Sequence, residues 1–298
     1  MTSRPEAGEL PANRIFACIN RHVTLGGQLP QNRTLRGKLA GQSAMAAVVD
    51  DQSHSGPQGR MARMFGASPL TAQGAAHHRG AVGELIVGSI LDGLGQSWDV
   101  LHGVPLGALS LDHFAVGRAG VFAFVVVNCH GSEVTVDSDQ LIVAKESTCF
   151  VVTARQAAVI ASDALNAALN APVSVTAVVV LVNPTKVAIL QQPDDVQVIT
   201  SMQLRQWLIS APHVLCGDQV SEISCAAEED STWPQPHQVA QIALNLARLY
   251  ASVDDAVSAA SLRKVLWIVT VSVATLLALS ALISILIPII SSQVMHSA

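Results

Sequence analysis

Charge is scarce in this chain of 298 residues. Asp, Glu, Lys and Arg make up 13% of it, against roughly a quarter in an ordinary soluble domain. That scarcity excludes a chain solvated along its whole length. Half of the residues are hydrophobic, and part of that excess sits in one apolar run near the end. Paired cysteines are lacking as well. Cys18, Cys129, Cys149, Cys216 and Cys225 are odd in number, scattered, and never in C-x-x-C spacing, so they read as reduced thiols rather than a disulfide framework. The opening residues MTSRPEAGELPANR are charged and interrupted by proline, without the apolar stretch of a secretory signal. A P-loop, a G-x-G-x-x-G opening a helix and a nucleophile elbow are all missing, which leaves nucleotide-cradling and serine-nucleophile chemistry without an anchor. No histidines fall in H-x-x-x-H or H-E-x-x-H spacing.

What is present is charge unevenly spread. Residues 1–79 hold nine Lys/Arg and four Asp/Glu, whereas residues 80–298 hold eight and eighteen. The basic share belongs to an N-terminal arm and the remainder is acidic. Phosphate binding leans on clustered Lys and Arg, so the charge of the core does not support nucleic acid as a partner. Residues 1–75, rich in Gly, Gln, Arg, Ser and Pro without a sustained period, are expected to form a largely disordered basic arm, with at most a short helix over 37–49. Such an arm suits anionic lipid or nucleic acid as readily as solvent.

The apolar run is VLWIVTVSVATLLALSALISILIPII, Val265 to Ile290, 26 residues without an ionisable group. A helix needs roughly 20 apolar residues to cross a hydrocarbon core ~30 Å thick, so this segment predicts one transmembrane helix. Arg263 and Lys264 precede it, and SSQVMHSA follows with neither Lys nor Arg. The positive-inside rule then places the N-terminal bulk in the cytoplasm and residues 291–298 on the other side of the cell membrane. Trp267 lies where an interfacial anchor belongs. Ala274, Ala278, Ala281, Ser280 and Ser284 give small-xxx-small spacings through which two such helices can associate.

Order is expected from about Gly80. Val82, Leu85, Ile86, Ser89, Ile90 and Leu94 fall on one helical stripe. WDVLHGVPL (98–106) reads as a strand, and LDHFAVGRAGVFAFVVVN as a hairpin of strands 111–116 and 121–127. EVTVDSDQLIV makes another hairpin, turning at 137–139. A helix over 153–170 capped by Thr153 follows, then strands in VSVTAVVVLVN and VQVIT, and a short helix SMQLRQWLIS capped by Ser201. The segment EISCAAEEDSTWPQP reads as an acidic loop with Glu228, Glu229 and Asp230 in solvent, before a last soluble helix over 237–258. This pattern argues for an α/β fold with a mixed sheet flanked by helices.

Several blocks carry a resemblance: G-A-V-G-E at Gly80–Glu84, L-D-H-F-A-V-G-R-A-G-V-F at Leu111–Phe122, N-C-H-G at Asn128–Gly131, and the later VVVLVN and VQVITSMQLRQWL. In order and spacing, residues 80–250 resemble the NERD, or nuclease-related, domain. The resemblance implies a domain over 76–260 with a restriction-endonuclease-like fold, whose active members cleave phosphodiester bonds with a metal. Carboxylates there hold Mg²⁺ at near-octahedral geometry so that a bound water is activated. A lysine two residues after an acid shares its face of the strand and stabilises the transition state.

Carried over residue by residue, Glu84 matches the helical glutamate, and Asp112 the aspartate before the glycine turn and the candidate metal ligand. Val125 and Val127 stand at the acid and lysine positions. A valine neither binds a metal nor donates a proton. The expectation is therefore a pseudo-nuclease without a cofactor, a binding or scaffolding module held at the membrane. The alternative is a Mg-dependent DNA or RNA nuclease with a rearranged site, drawing on Glu133, Asp137, Asp139 or Lys145 of the next hairpin. A His/Asp metal site from Asp112, His113 and His130 is weaker, for want of a ligand spacing. Cys129 beside His130 is discounted as a thiol nucleophile because neighbours on a strand point to opposite faces.

Overall fold

The computed structural model describes residues 35–56, 58–234 and 243–296. In chain order these form α1 (Gln42–His54), α2 (Arg60–Met64), α3 (Ala72–Asp92), β1 (Trp98–Leu106), β2 (Leu109–Gly117) and β3 (Gly120–Asn128). Next come β4 (Glu133–Asp137), β5 (Gln140–Val143), β6 (Glu146–Thr148), α4 (Phe150–Leu169), β7 (Val175–Val182), β8 (Lys186–Gln191) and β9 (Val196–Thr200). Helices α5 (Ser201–Ser210), α6 (Gly217–Glu228) and α7 (Ala243–His296) complete the chain.

A strand apolar on both faces must be covered on both faces, and β3 is the middle strand for that reason. The first sheet runs β1-β2-β3-β7-β9. β1, β2 and β3 are antiparallel, and β7 and β9 join parallel to β3. α4 and α6 cover one face, where Val121, Ala123, Val125 and Val127 meet Ala154, Ala161, Leu165 and Ile223. α3 and α5 cover the other, where Phe122 and Phe124 meet Val87, Leu91, Leu204 and Leu208. The second sheet, β6-β5-β4-β8, grows from the first. β3 and β7 both bend, through His130 (φ 48°) and Asn183 (φ 51°), and stay bonded across the bend by Cys129 N–H to the Val182 carbonyl and Thr185 N–H to the Ser132 carbonyl. The result is a mixed α/β protein with two mixed sheets flanked by helices and one long apolar C-terminal helix.

Several local expectations change. Over its described part the arm is helical, because Met45 and Val48 of α1 bury fully against α3 and α7 with Leu85, Leu246 and Tyr250. Leu35 likewise enters the sheet core. Residues 1–34 lie outside the described residues. α3 starts at Ala72, capped by Thr71, whose hydroxyl accepts from Gly74 N–H and donates to the Asp51 carboxylate. Its buried face is Ala81, Gly83, Leu85, Gly88 and Leu91 rather than the larger stripe through Val82, Ile86 and Ile90. α4 begins at Phe150, a turn before Thr153. Thr200, not Ser201, caps α5, in a capping box with Gln203. The first half of the supposed acidic loop, through Glu228, belongs to α6. Glu228 pairs with Arg36 and Asp230 is buried, so neither is a free solvated charge. Of the last soluble helix, residues 237–242 lie outside the described residues; the rest continues without a break into the apolar run.

Candidate carboxylate site

α3 lies close to the sheet because its inward face is built from glycine. A Cβ on Gly83 would stand 3.1 Å from Asn128 Cβ and 3.2 Å from Val126 Cγ1. One on Gly88 would stand 2.5 Å from Ala40 Cβ, with the His113 and His102 rings at 3.4 and 3.5 Å. This contact fixes which side of β3 looks at the helix bearing Glu84. It is the side of Val126 and Asn128. Val125 and Val127 face the opposite core, under α4.

The structure brings Glu84 and Asp112 together. Glu84 accepts from the backbone N–H of Gly41, a residue at φ 71° where a Cβ would crowd the Ala81 carbonyl. Asp112 Oδ2 accepts the Val126 backbone N–H at 2.6 Å. That N–H is free because the β2–β3 ladder stops at the pair His113–Phe124. Across the other edge, Gly103 (φ 59°) interrupts β1 opposite Asp112. Leu111 and Phe114, three residues apart, consequently enter the same core, and Asp112 turns sideways between strands.

Burial sets the electrostatics of the pair. Desolvation pushes the Asp112 carboxyl up to about 7, against the Val126 hydrogen bond, which favours the ionised form. Glu84 is raised well above the usual carboxylate range, first by desolvation and then by the charge of Asp112. Tyr250, wholly buried, feels Glu84 and Asp254 in turn, and its hydroxyl has no hydrogen-bond partner among the described residues. The nearest buried amine by strand register, Lys38, donates to the Gly103 carbonyl at 2.6 Å. Burial lowers it to about 8, and the carboxylate that acts on it is Asp230.

Comparison of the chain with family models, curated proteins and solved structures gives no match.

The donor set does not fit Mg²⁺. An octahedral ion keeps oxygen ligands from several groups, and among the described residues no cluster of three His, Cys, Asp or Glu is placed to hold a metal. Glu133 and Asp137 lie on β4 of the second sheet, and Asp139 and Lys145 in the turns on either side of β5. Asp139 is engaged by Arg155 at 2.5 Å, and none of the four perturbs Glu84 or Asp112. Nor do Asp112, His113 and His130 converge. His130 is exposed at the bend, while His113 Nδ1 lies 2.8 Å from His102 Nδ1, whose Nε2 faces Asp92 at 3.3 Å. Burial holds His113 well below the usual imidazole range. Sequence reasoning missed this Asp92–His102–His113 chain; the only sign of it was the equal offset of His102 and His113 from the turn joining β1 and β2. Cys129 is buried, with its thiol pushed up to about 11, so it is no nucleophile. A cavity of about 940 Å³ runs beside α3 and α7 past His78, Ile90, Asp92 and Asp254, and reaches neither Glu84 nor Asp112.

Proposed function

We propose that this protein is a membrane-tethered, nuclease-related module that has lost catalysis and works by binding or scaffolding, with its N-terminal bulk at the cytoplasmic face. The reading rests above all on β3. An acid-x-Lys pair needs two positions on one face of that strand, and neither candidate pair supplies them: Val125 with Val127 under α4, Val126 with Asn128 under α3. The five-stranded mixed sheet between helices is in keeping with the restriction-endonuclease-like arrangement that the resemblance implies. The tether rests on the one helix among the described residues that is long and apolar enough to cross a membrane. The cleft beside α3 and α7 offers a surface for a partner.

Purified full-length protein incubated with plasmid, single-stranded DNA and RNA in Mg²⁺ or Mn²⁺ tests the proposal. Cleavage is expected to stay at the level of a Glu84→Gln/Asp112→Asn control. Cleavage that the control abolishes would sink it. The juxtaposed carboxylates favour the second reading, a Mg-dependent nuclease with a rearranged site, and calorimetric Mn²⁺ binding lost in Asp112→Asn would support that one.

A further inference from the structure

α2 and the residue after it read Arg60-Met61-Ala62-Arg63-Met64-Phe65. Met61, Met64 and Phe65 fall at i, i+3 and i+4, one face of a helix, and all three are exposed, at 64%, 46% and 47%. Exposed apolar side chains scattered singly need no explanation, but a contiguous apolar face does. This one is not loose. Arg263 Nη1 donates to the Arg63 carbonyl at 3.0 Å, Trp267 Nε1 donates to the Met64 carbonyl at 2.9 Å, and the Phe65 ring lies 5.0 Å from that of Trp267. Gly66 (φ 73°) seats the turn on α7, where a Cβ would stand 2.4 Å from Lys264 N and 2.5 Å from the Ala260 carbonyl.

These bonds tie α2 to α7 at the point where the apolar run begins. Trp267 is the third residue of that run, and from Lys264 to Ser284 every side chain is exposed. If α7 crosses a bilayer at 265–290, Phe65 has to share the depth of Trp267. Met61 and Met64, on the same face, then lie at the boundary of headgroup and acyl chain rather than in bulk water. The charges suit the same place. Arg60, Arg63, Arg263 and Lys264 flank this face, and no acidic residue occurs between Asp51 and Glu84 or after Asp255. Basic residues beside a membrane-embedded apolar face attract anionic headgroups.

We propose that α2 is a second membrane contact. Met61, Met64 and Phe65 enter the interface of an anionic phospholipid bilayer, and Arg60, Arg63, Arg263 and Lys264 meet its phosphates. The contact locks the soluble part against the membrane instead of leaving it on a swivel. This inference rests on the reading that α7 spans, and the test separates the two.

A benzophenone amino acid is placed in turn at Met61, Ser53 and Leu277 of the full chain, reconstituted in phosphatidylcholine vesicles with or without phosphatidylserine. Irradiation is expected to give lipid adducts at 277 and 61 and none at 53, with the yield at 61 rising severalfold when phosphatidylserine is present. Adducts at 277 with none at 61 overturn the proposal and leave the span standing. No adduct at 277 overturns the span, and the proposal with it. Arg60→Glu/Arg63→Glu is expected to cut the adduct at 61 severalfold in phosphatidylserine vesicles without changing that at 277. An unchanged yield at 61 refutes the role of anionic headgroups.

Discussion

The Asp112 carboxylate takes the Val126 backbone N–H that a neighbouring strand would otherwise pair. It repairs a break in the sheet opposite Gly103 and, in the same place, its charge acts on the buried carboxyl of Glu84. A residue singled out as a metal ligand thus has a structural task that asks for an acceptor but not for a charge.

That distinction predicts a pH dependence. The folded Asp112 carboxyl sits near 7, up from 3.8, because burial penalises its charged form. A carboxyl raised on folding contributes stability that is fully present below its unfolded value and is lost as pH rises through the folded one. The melting temperature of the detergent-solubilised full chain is expected to fall between pH 5 and pH 8. Asp112→Asn, which keeps the acceptor and drops the charge, flattens that fall and is the more stable at pH 8. Asp112→Ala leaves the Val126 N–H without its partner and is expected to be about 1–3 kcal/mol less stable than Asp112→Asn at every pH. A stability advantage of Asp112→Asn over the wild type that does not grow from pH 5 to pH 8 would contradict the assignment.

The side of β3 that faces α3 is testable by restoring the missing pair in both registers. Val126→Asp with Asn128→Lys places both groups beside Glu84, and the protein is expected to fold. Val125→Asp with Val127→Lys buries them in the α4 core, where desolvating both charges is costly enough to prevent folding. Circular dichroism decides which variant folds, and Mn²⁺ calorimetry on the folded one asks whether a third carboxylate restores metal binding.

The close seat of α3 makes Gly88 intolerant of a methyl group. Gly88→Ala meets Ala40 Cβ at 2.5 Å and is expected to cost about 1–3 kcal/mol, as overpacking of a dense core does. Ala40→Gly in the same chain is expected to recover most of that loss. Thermal denaturation of the single and double variants measures both, and a double variant no better than the single one would place the strain elsewhere.

Membrane attachment predicts a fractionation result. The full chain is expected to stay in the membrane pellet after an alkaline carbonate wash, whereas a chain ending at Lys264 goes to the supernatant. Protease added to inside-out vesicles should remove the N-terminal bulk. Protection of that bulk would reverse the orientation drawn from Arg263 and Lys264.

Strands β1 and β3 were legible to within a residue or two, since unbroken apolar runs between turn residues admit few other readings. α6 was not. GDQVSEISCAAE carries few apolar residues, and Ile223 and Ala227 gain their worth only against α4. β8 was missed because its pairing partner, β4, lies some fifty residues earlier. α1 was legible only in part, as a short helix over 37–49 within an arm expected to be largely disordered: Met45 and Val48 look incidental in a polar segment until α3 and α7 cover them.

The amino-acid sequence alone determined two things: a C-terminal segment that water solvates poorly, and an apolar strand, 121–127, without any ionisable side chain. Both follow from the side chains themselves, whatever surrounds them. Which face of β3 meets Glu84, and whether Asp112 turns toward it, was left to the tertiary structure. Alternation along a strand tells which residues share a face but not which face a helix will cover. Here that choice was made by the glycines of α3 and by a backbone break at Gly103, contacts between segments far apart in the chain.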